Sequence, residues 1–229
     1  MRSADPQDRP GRWTVVLPVK GGTMAKSRLR HPARAGLAAA VALDTTAAVA
    51  ACPRVRRVLV VTGDAATAAA HVALGAEVVA DPGGGLAAAL AAGALAAGTS
   101  AGAAAAGQSP TDPGPCALLL ADLPALRPDD LAQALQACED ALAAGADQVT
   151  VPDADGTGTV LLAAASPRDL RPRFGPGSAA AHAATSVVLV AAPARLRRDV
   201  DTAEHLAEAE VLGVGPRTAA VLAAVQGSA

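Results

Sequence analysis

The run Leu118-Leu119-Leu120-Ala121-Asp122-Leu123-Pro124 constrains this chain most. An apolar stretch without polar alternation, closed by turn residues, fits a strand covered by helices on both faces. Pro124 cannot donate to a ladder, so pairing stops there. Asp122 is therefore expected just past the carboxyl end of a central strand, the edge at which open α/β sheets bind ligands. A strand-end Asp also serves as an ordinary turn cap. The functional reading thus leans on partners elsewhere: a second acidic pair, Asp199 and Asp201, and a cationic loop near the start of the chain.

Around this run, short β-branched stretches alternate with alanine-rich helical ones. Strands are expected at Thr14–Val19, Arg57–Thr62, Glu77–Ala80, Ala117–Ala121, Gln148–Pro152, Val160–Ala165 and Ser186–Val190. The longer helices are expected at Arg34–Ala50, Leu86–Ala97, Pro128–Ala144, Ala203–Leu212 and Pro216–Val225. Such alternation predicts an α/β fold with a mostly parallel sheet and right-handed crossovers. A chain of 229 residues suits one large domain, here 13–229. Residues 1–12 are polar and hold two prolines, and read as a disordered tail. Residues 99–115 are dominated by Gly, Ser, Ala, Pro and Thr without periodicity, and read as a surface insertion with no function.

Composition removes several function classes. Aromatics are 1% and the formal charge is -2, so there is neither a base-stacking platform nor a phosphate-tracking face, and no nucleic-acid partner is expected. Cys52, Cys116 and Cys138 are odd in number and lack metal-ligand spacing, which fits reduced thiols in the cytoplasm. The first residues carry no apolar signal core. Residues 86–107 are uncharged, but they are alanine interrupted by glycine and gain little from lipid, so no membrane span is expected.

Lys20-Gly21-Gly22-Thr23-Met24-Ala25-Lys26-Ser27-Arg28 follows the first strand. Its glycines permit close backbone approach, and Lys20, Lys26 and Arg28 suit the phosphates of a nucleotide. The Walker A spacing is absent. Asp199 and Asp201, two apart in an extended segment, point the same way. Two carboxylates on one side form a hard-oxygen site suited to Mg²⁺. Asp201 with Glu204 three residues on equally resembles a helix N-cap and its capping-box partner. Gly175-Pro176-Gly177-Ser178 offers an anion-binding turn before a helix, or simply a Ser N-cap. Thr157-Gly158-Thr159 is a second small polar turn. His31, His71, His182 and His205 lack ligand spacing and read as structural or exposed.

In sequence order, Pro18-Val19-Lys20 with Ala25–Leu29, Asp81-Pro82-Gly83-Gly84-Gly85-Leu86, Ala121–Pro124, Gly156–Thr159, Phe174–Ser178 and Asp199–Thr202 resemble the 2-phospho-L-lactate / phosphoenolpyruvate guanylyltransferase family of coenzyme F(420) biosynthesis. Each motif is weak alone; the ordered set, spanning about residues 13–212, is specific. The resemblance implies a single-domain nucleotide-diphospho-sugar-transferase-like fold, a mixed, mostly parallel sheet with helices on both faces. It implies GTP as donor and phosphoenolpyruvate or 2-phospholactate as acceptor, and leaves a homodimer open. It implies Mg²⁺ held by Asp122, Asp199 and Asp201. Asp122, Lys26 and Lys20 would then be catalytic, and Lys20, Lys26, Arg28, Gly85 and Leu86 would bind the nucleotide. Thr159, Gly175 and Ser178 would take the acceptor. Ala87 stands where the family usually has Asn, and the 99–115 insertion is longer than the family pattern. The neighbouring readings are a molybdenum-cofactor guanylyl- or cytidylyltransferase, whose first loop carries more glycine, and a non-catalytic nucleotide-binding protein that kept the fold.

Overall fold

A computed structural model describes residues 13–20, 33–99 and 113–226. Among these, seven strands form one sheet: β1 (Trp13–Pro18), β2 (Val55–Thr62), β3 (Glu77–Ala80), β4 (Cys116–Leu119), β5 (Val149–Pro152), β6 (Thr159–Ala164) and β7 (Val187–Val188), in the order β3-β2-β1-β4-β6-β5-β7. The helices are α1 (Arg34–Ala51), α2 (Ala65–Val72), α3 (Leu86–Ala97), α4 (Pro128–Ala143), α5 (Ser178–Ala183), α6 (Ala194–Arg197), α7 (Ala203–Leu212) and α8 (Pro216–Gln226). The expected alternation is present, with β1 at 13–18 and β7 shorter than expected. The expected tail at 1–12 and most of the 99–115 insertion lie outside the described residues, as do Lys26 and Arg28.

Strands β1, β2, β3 and β4 run parallel, as β-α-β connections require. Strand β6 pairs antiparallel with both β4 and β5, so the sheet is mixed. The reversal follows from connection length. The turn after Pro152 returns the chain directly into β6, too short a path for a crossover helix.

Side chains alternate across each strand. On β1 and β2, Val15, Leu17, Val58 and Val60 pack against α1 and α4 through Val49, Leu131 and Leu135. Val16, Leu59 and Val61 face the other way, against Ala89 and Leu90 of α3. Both faces of β4 are therefore dry, which is why its run shows no polar alternation. A third cluster joins Leu37 and Val41 of α1 to Val200, Leu206 and Leu222. Helix α1 is long and apolar enough to cross a membrane by length and composition. In this fold half of it is buried, against β2, α4 and α8.

The C-terminal helix is tied down by a distant carboxylate. Buried Asp44 of α1 accepts from the backbone N–H groups of Arg217 (3.2 Å) and Thr218 (2.8 Å), the first turn of α8. An anion at a helix N-terminus satisfies donors that the helix cannot.

Candidate active site

Asp122 lies just beyond β4, at the carboxyl edge of the central strand, as its sequence context predicts. Its neighbours fix its position from several sides. Leu120 N–H donates to the Val160 carbonyl at 2.9 Å. Leu123 N–H donates to Thr45 Oγ1 on α1 at 3.2 Å. The Asp122 carbonyl accepts from Val200 N–H at 3.1 Å, which lays the 199–201 segment beside the end of β4.

That segment is extended. Val200 is fully buried in the third core cluster, and Asp199 and Asp201 turn the opposite way into a cleft. The i, i+2 expectation therefore holds. Asp201 is not a helix cap: Thr202 caps α7, its hydroxyl accepting from His205 N–H at 3.2 Å. The cap falls one residue later because Asp201 still belongs to the extended strip. Asp199 is 9% exposed, and its Oδ1 is buried without a hydrogen-bond donor among the described residues. Burial, reinforced by Asp122, Asp201 and Asp153, pushes its carboxyl up to about 7. Two arginines that sequence reasoning passed over hold the strip in place. Arg197 donates to the carbonyls of Pro152, Asp153 and Val190. Buried Arg198 bridges Asp155 (3.0 Å) and Glu208 (2.9 Å).

Asp153 takes a role that its turn-like sequence context does not reveal. Its carboxylate accepts from Thr157 N–H (2.9 Å) and Gly158 N–H (2.6 Å), folding residues 153–158 back on themselves. A Cβ at Gly158 would fall on that carboxylate, so glycine alone fits. The signal available was the Asp-x-x-x-x-Gly spacing, which by itself marks any tight turn. The turn delivers Thr159 to the start of β6, in the cleft wall.

The 174–178 loop also lines the cleft. Gly175 (φ 141) and Gly177 (φ 73) adopt conformations that side chains disfavour. The residue preceding α5 in the cap position is Gly177, and Ser178 is the first helical residue, so the Ser N-cap reading does not hold. Two of the N–H groups at the start of this helix are already bonded. Ser178 N–H donates to the Gly175 carbonyl (3.1 Å) and Ala179 N–H to that of Thr157 (3.2 Å).

The cleft has a volume of about 540 Å³. Asp153, Asp199 and Asp201 line it together with Thr159, Gly175 and Ser178, and Leu86 of α3 also contributes to the lining. Gly85 (φ 91) precedes Leu86 and starts α3. Lys20 is exposed just past β1 and lines a separate small cavity beside α1 and His71. The structure thus gathers Leu86, Thr159, Gly175, Ser178, Asp199 and Asp201 at one cleft, with Asp122 adjoining. It leaves Lys20 apart, and Lys26 and Arg28 outside the described residues.

A family model described as "Uncharacterized protein conserved in bacteria (DUF2064)" matches residues 45–174. The chain is 49% identical over 218 residues to a phosphoenolpyruvate guanylyltransferase of Streptomyces coelicolor, covering 92% of this chain and 96% of that one. It is 49% identical over 214 residues to a protein of the same name from Salinispora arenicola, covering 90% and 92%. The chain belongs to the phosphoenolpyruvate guanylyltransferase family. The resemblance carried by the ordered motifs is therefore sound, and this family member is a nucleotidyltransferase. Its fold is also that of 4-diphosphocytidyl-2C-methyl-D-erythritol synthase, matched with a TM-score of 0.55 at 15% identity over 88% of this chain and 98% of that one.

Among the described residues, no three His, Cys, Asp or Glu side chains make a ready-formed metal site. A divalent cation nevertheless fits the chemistry of the donors. Asp199 is a buried carboxylate with an unbonded oxygen in a crowd of like charges, which a cation would relieve. Mg²⁺ in particular takes one or two carboxylates and completes its shell with water and phosphate oxygens, so it needs no all-protein cage.

Proposed function

We propose that this guanylyltransferase-family member transfers GMP from GTP to phosphoenolpyruvate, forming enolpyruvyl-2-diphospho-5'-guanosine and pyrophosphate in coenzyme F(420) biosynthesis. The observation that carries the reading is the cleft itself. An acidic strip (Asp199, Asp201, with Asp122 close by) shares one cleft with a hydroxyl-and-glycine set (Thr159, Gly175, Ser178) at the carboxyl edge of the sheet.

In the reaction, a phosphate oxygen of the acceptor attacks the α-phosphorus of GTP. The new P–O bond forms as the bond to the β-phosphate bridge breaks, and pyrophosphate leaves with the electron pair. No side-chain nucleophile is needed, so catalysis consists of positioning and charge neutralisation. Asp122, Asp199 and Asp201 would hold Mg²⁺, which when bound neutralises phosphate charge. Lys20, Lys26 and Arg28 supply the remaining positive charge on the nucleotide side, and Gly85 and Leu86 bound the nucleotide. Thr159, Gly175 and Ser178 hold the acceptor. Retained carboxylates of this kind disfavour a non-catalytic role. The enzyme works in the cytoplasm, in keeping with three free, buried cysteines, and a homodimer is compatible with this reading.

The test is mass spectrometry of products from GTP and Mg²⁺ with phosphoenolpyruvate or 2-phospho-L-lactate, acceptors that differ by one unsaturation at C2–C3. The enolpyruvyl product is expected from phosphoenolpyruvate. Product formed from the lactate alone would change the acceptor, and release of no pyrophosphate with either would refute the activity.

A further inference from the structure

We propose that His182 is the positioning residue of the acceptor wall: with its proton on Nδ1, it makes the Thr159 hydroxyl a donor toward the bound acid and anchors the start of the 173–178 loop. This rests on the reading that the wall holds the acceptor.

The argument begins with the two ring nitrogens. Arg173 N–H donates to Nε2 of His182 at 2.8 Å, so Nε2 carries a lone pair. The ring proton is then on Nδ1, which lies 2.8 Å from Thr159 Oγ1. Nδ1–H donates and the Thr159 oxygen accepts. The reverse tautomer would set two N–H donors against each other at Nε2 and leave Nδ1 without its proton.

A hydroxyl that accepts from one side still has its own proton to give. Thr159 Oγ1 has His182 as its side-chain partner and sits in the cleft wall. Its O–H is thus available to an anionic acceptor. His182 cannot itself touch the acceptor. It is 1% exposed, and Phe174 meets its ring edge-on, centroids 5.2 Å apart at 68°. One imidazole therefore joins Arg173 and Phe174 at the loop entrance to Thr159 of β6. Burial and the nearby Arg173 charge both hold the ring below its ordinary pKa, so it is neutral at pH 7.

The tautomer can be read without substrate. Long-range ¹H–¹⁵N spectra of ¹⁵N-histidine-labelled protein should show one neutral ring protonated on Nδ1, absent from the spectrum of His182→Ala. A ring protonated on Nε2 would overturn the proposal. Kinetics reads the consequence, with the phosphorylated acid that the product assay identifies. Loss of a hydrogen bond to a charged group is worth about tenfold to a hundredfold in affinity. Thr159→Val should raise the acceptor KM by that factor with the GTP KM unchanged, and Thr159→Ser should retain most of the wild-type value. His182→Ala should behave like Thr159→Val. Equal rises in both KM values, or no rise in a folded His182→Ala protein, would refute the role. Should His182→Ala not fold, the Thr159 pair and the wild-type spectrum, with the four histidine signals resolved through the other three single variants, decide the matter. Failure of guanylyl transfer itself would leave the tautomer result standing, so the two readings fail separately.

Discussion

The backbone N–H of Val200 donates to the carbonyl of Asp122 at 3.1 Å, and this bond brings the two acidic segments of the cleft together. Val200 points into the core while its neighbours Asp199 and Asp201 point out of it. The strip is thus pinned on one face by hydrophobic burial and at its backbone by the end of β4. Its carboxylates crowd together because the fold holds them, against their mutual repulsion.

That crowding gives opposite signs for activity and stability at Asp199. Asp199→Asn removes a buried charge with an unbonded oxygen beside three other carboxylates. Activity should fall by orders of magnitude. In EDTA at pH 8 the variant should be more stable, by about 1–2 kcal/mol, or roughly 2–8 °C in Tm. Thermal unfolding with and without Mg²⁺ reads both effects. A lower Tm in EDTA would mean that the carboxylate has a stabilising partner.

Asp201 and Thr202 are adjacent but differ in role. Thr202→Ala removes the cap of α7 and should cost about 1 kcal/mol of stability, with kcat little changed. Asp201→Asn should leave the helix intact and reduce activity by more than the ~10–100-fold typical of a ligand's outer partner. Urea melts alongside turnover separate the two; a stability loss confined to Asp201→Asn would restore it as the cap.

Gly158→Ala should disrupt the turn that presents Thr159. The added methyl falls on the Asp153 carboxylate, which now accepts from Thr157 and Gly158. Losing these charge-assisted bonds should cost about 2–4 kcal/mol and raise the acceptor KM more than the GTP KM. A variant with wild-type melting would show that the turn relaxes freely.

His71 should contribute a loss of stability in mild acid. It is buried, with Nδ1 2.9 Å from Thr46 Oγ1, and burial holds it below its ordinary 6.5. The unfolded chain takes up the proton first, so the contribution is complete above pH 6.5 and is lost as pH falls toward the folded value. Fluorescence of Trp13, the one tryptophan and fully buried, can follow urea unfolding at pH 7.5 and 5.5. His182, also held low by burial, adds to this loss, while Asp199, pushed up to about 7, opposes it in the same window, so the His71 contribution is read as a difference: on acidification the midpoint of His71→Gln should fall less than that of the wild type. An unchanged slope in the variant would assign the acid sensitivity to other groups.

The alternating strands and helices, the place of Asp122 and the common direction of Asp199 and Asp201 were legible in the sequence. These follow from local rules: runs of apolar residues, a proline that ends a ladder, and side chains that alternate along an extended strip. The ordered motifs carried the family. What lay out of reach depended on chain segments far apart in sequence. Gly93 reads as a weak point in the alanine helix α3, yet a side chain there would strike Val16 and Val61, so the sheet demands it. Asp44 reads as a helix residue, and only the return of α8 makes it a cap. The capping roles of Asp201 and Ser178 were ambiguous because a cap is defined by where the backbone turns helical, a matter of a single residue. His182 gained its role only when Arg173 and Thr159 met its two nitrogens. Hydrogen-bond direction at an imidazole is set by what tertiary structure puts on each side, and no spacing in the chain encodes it.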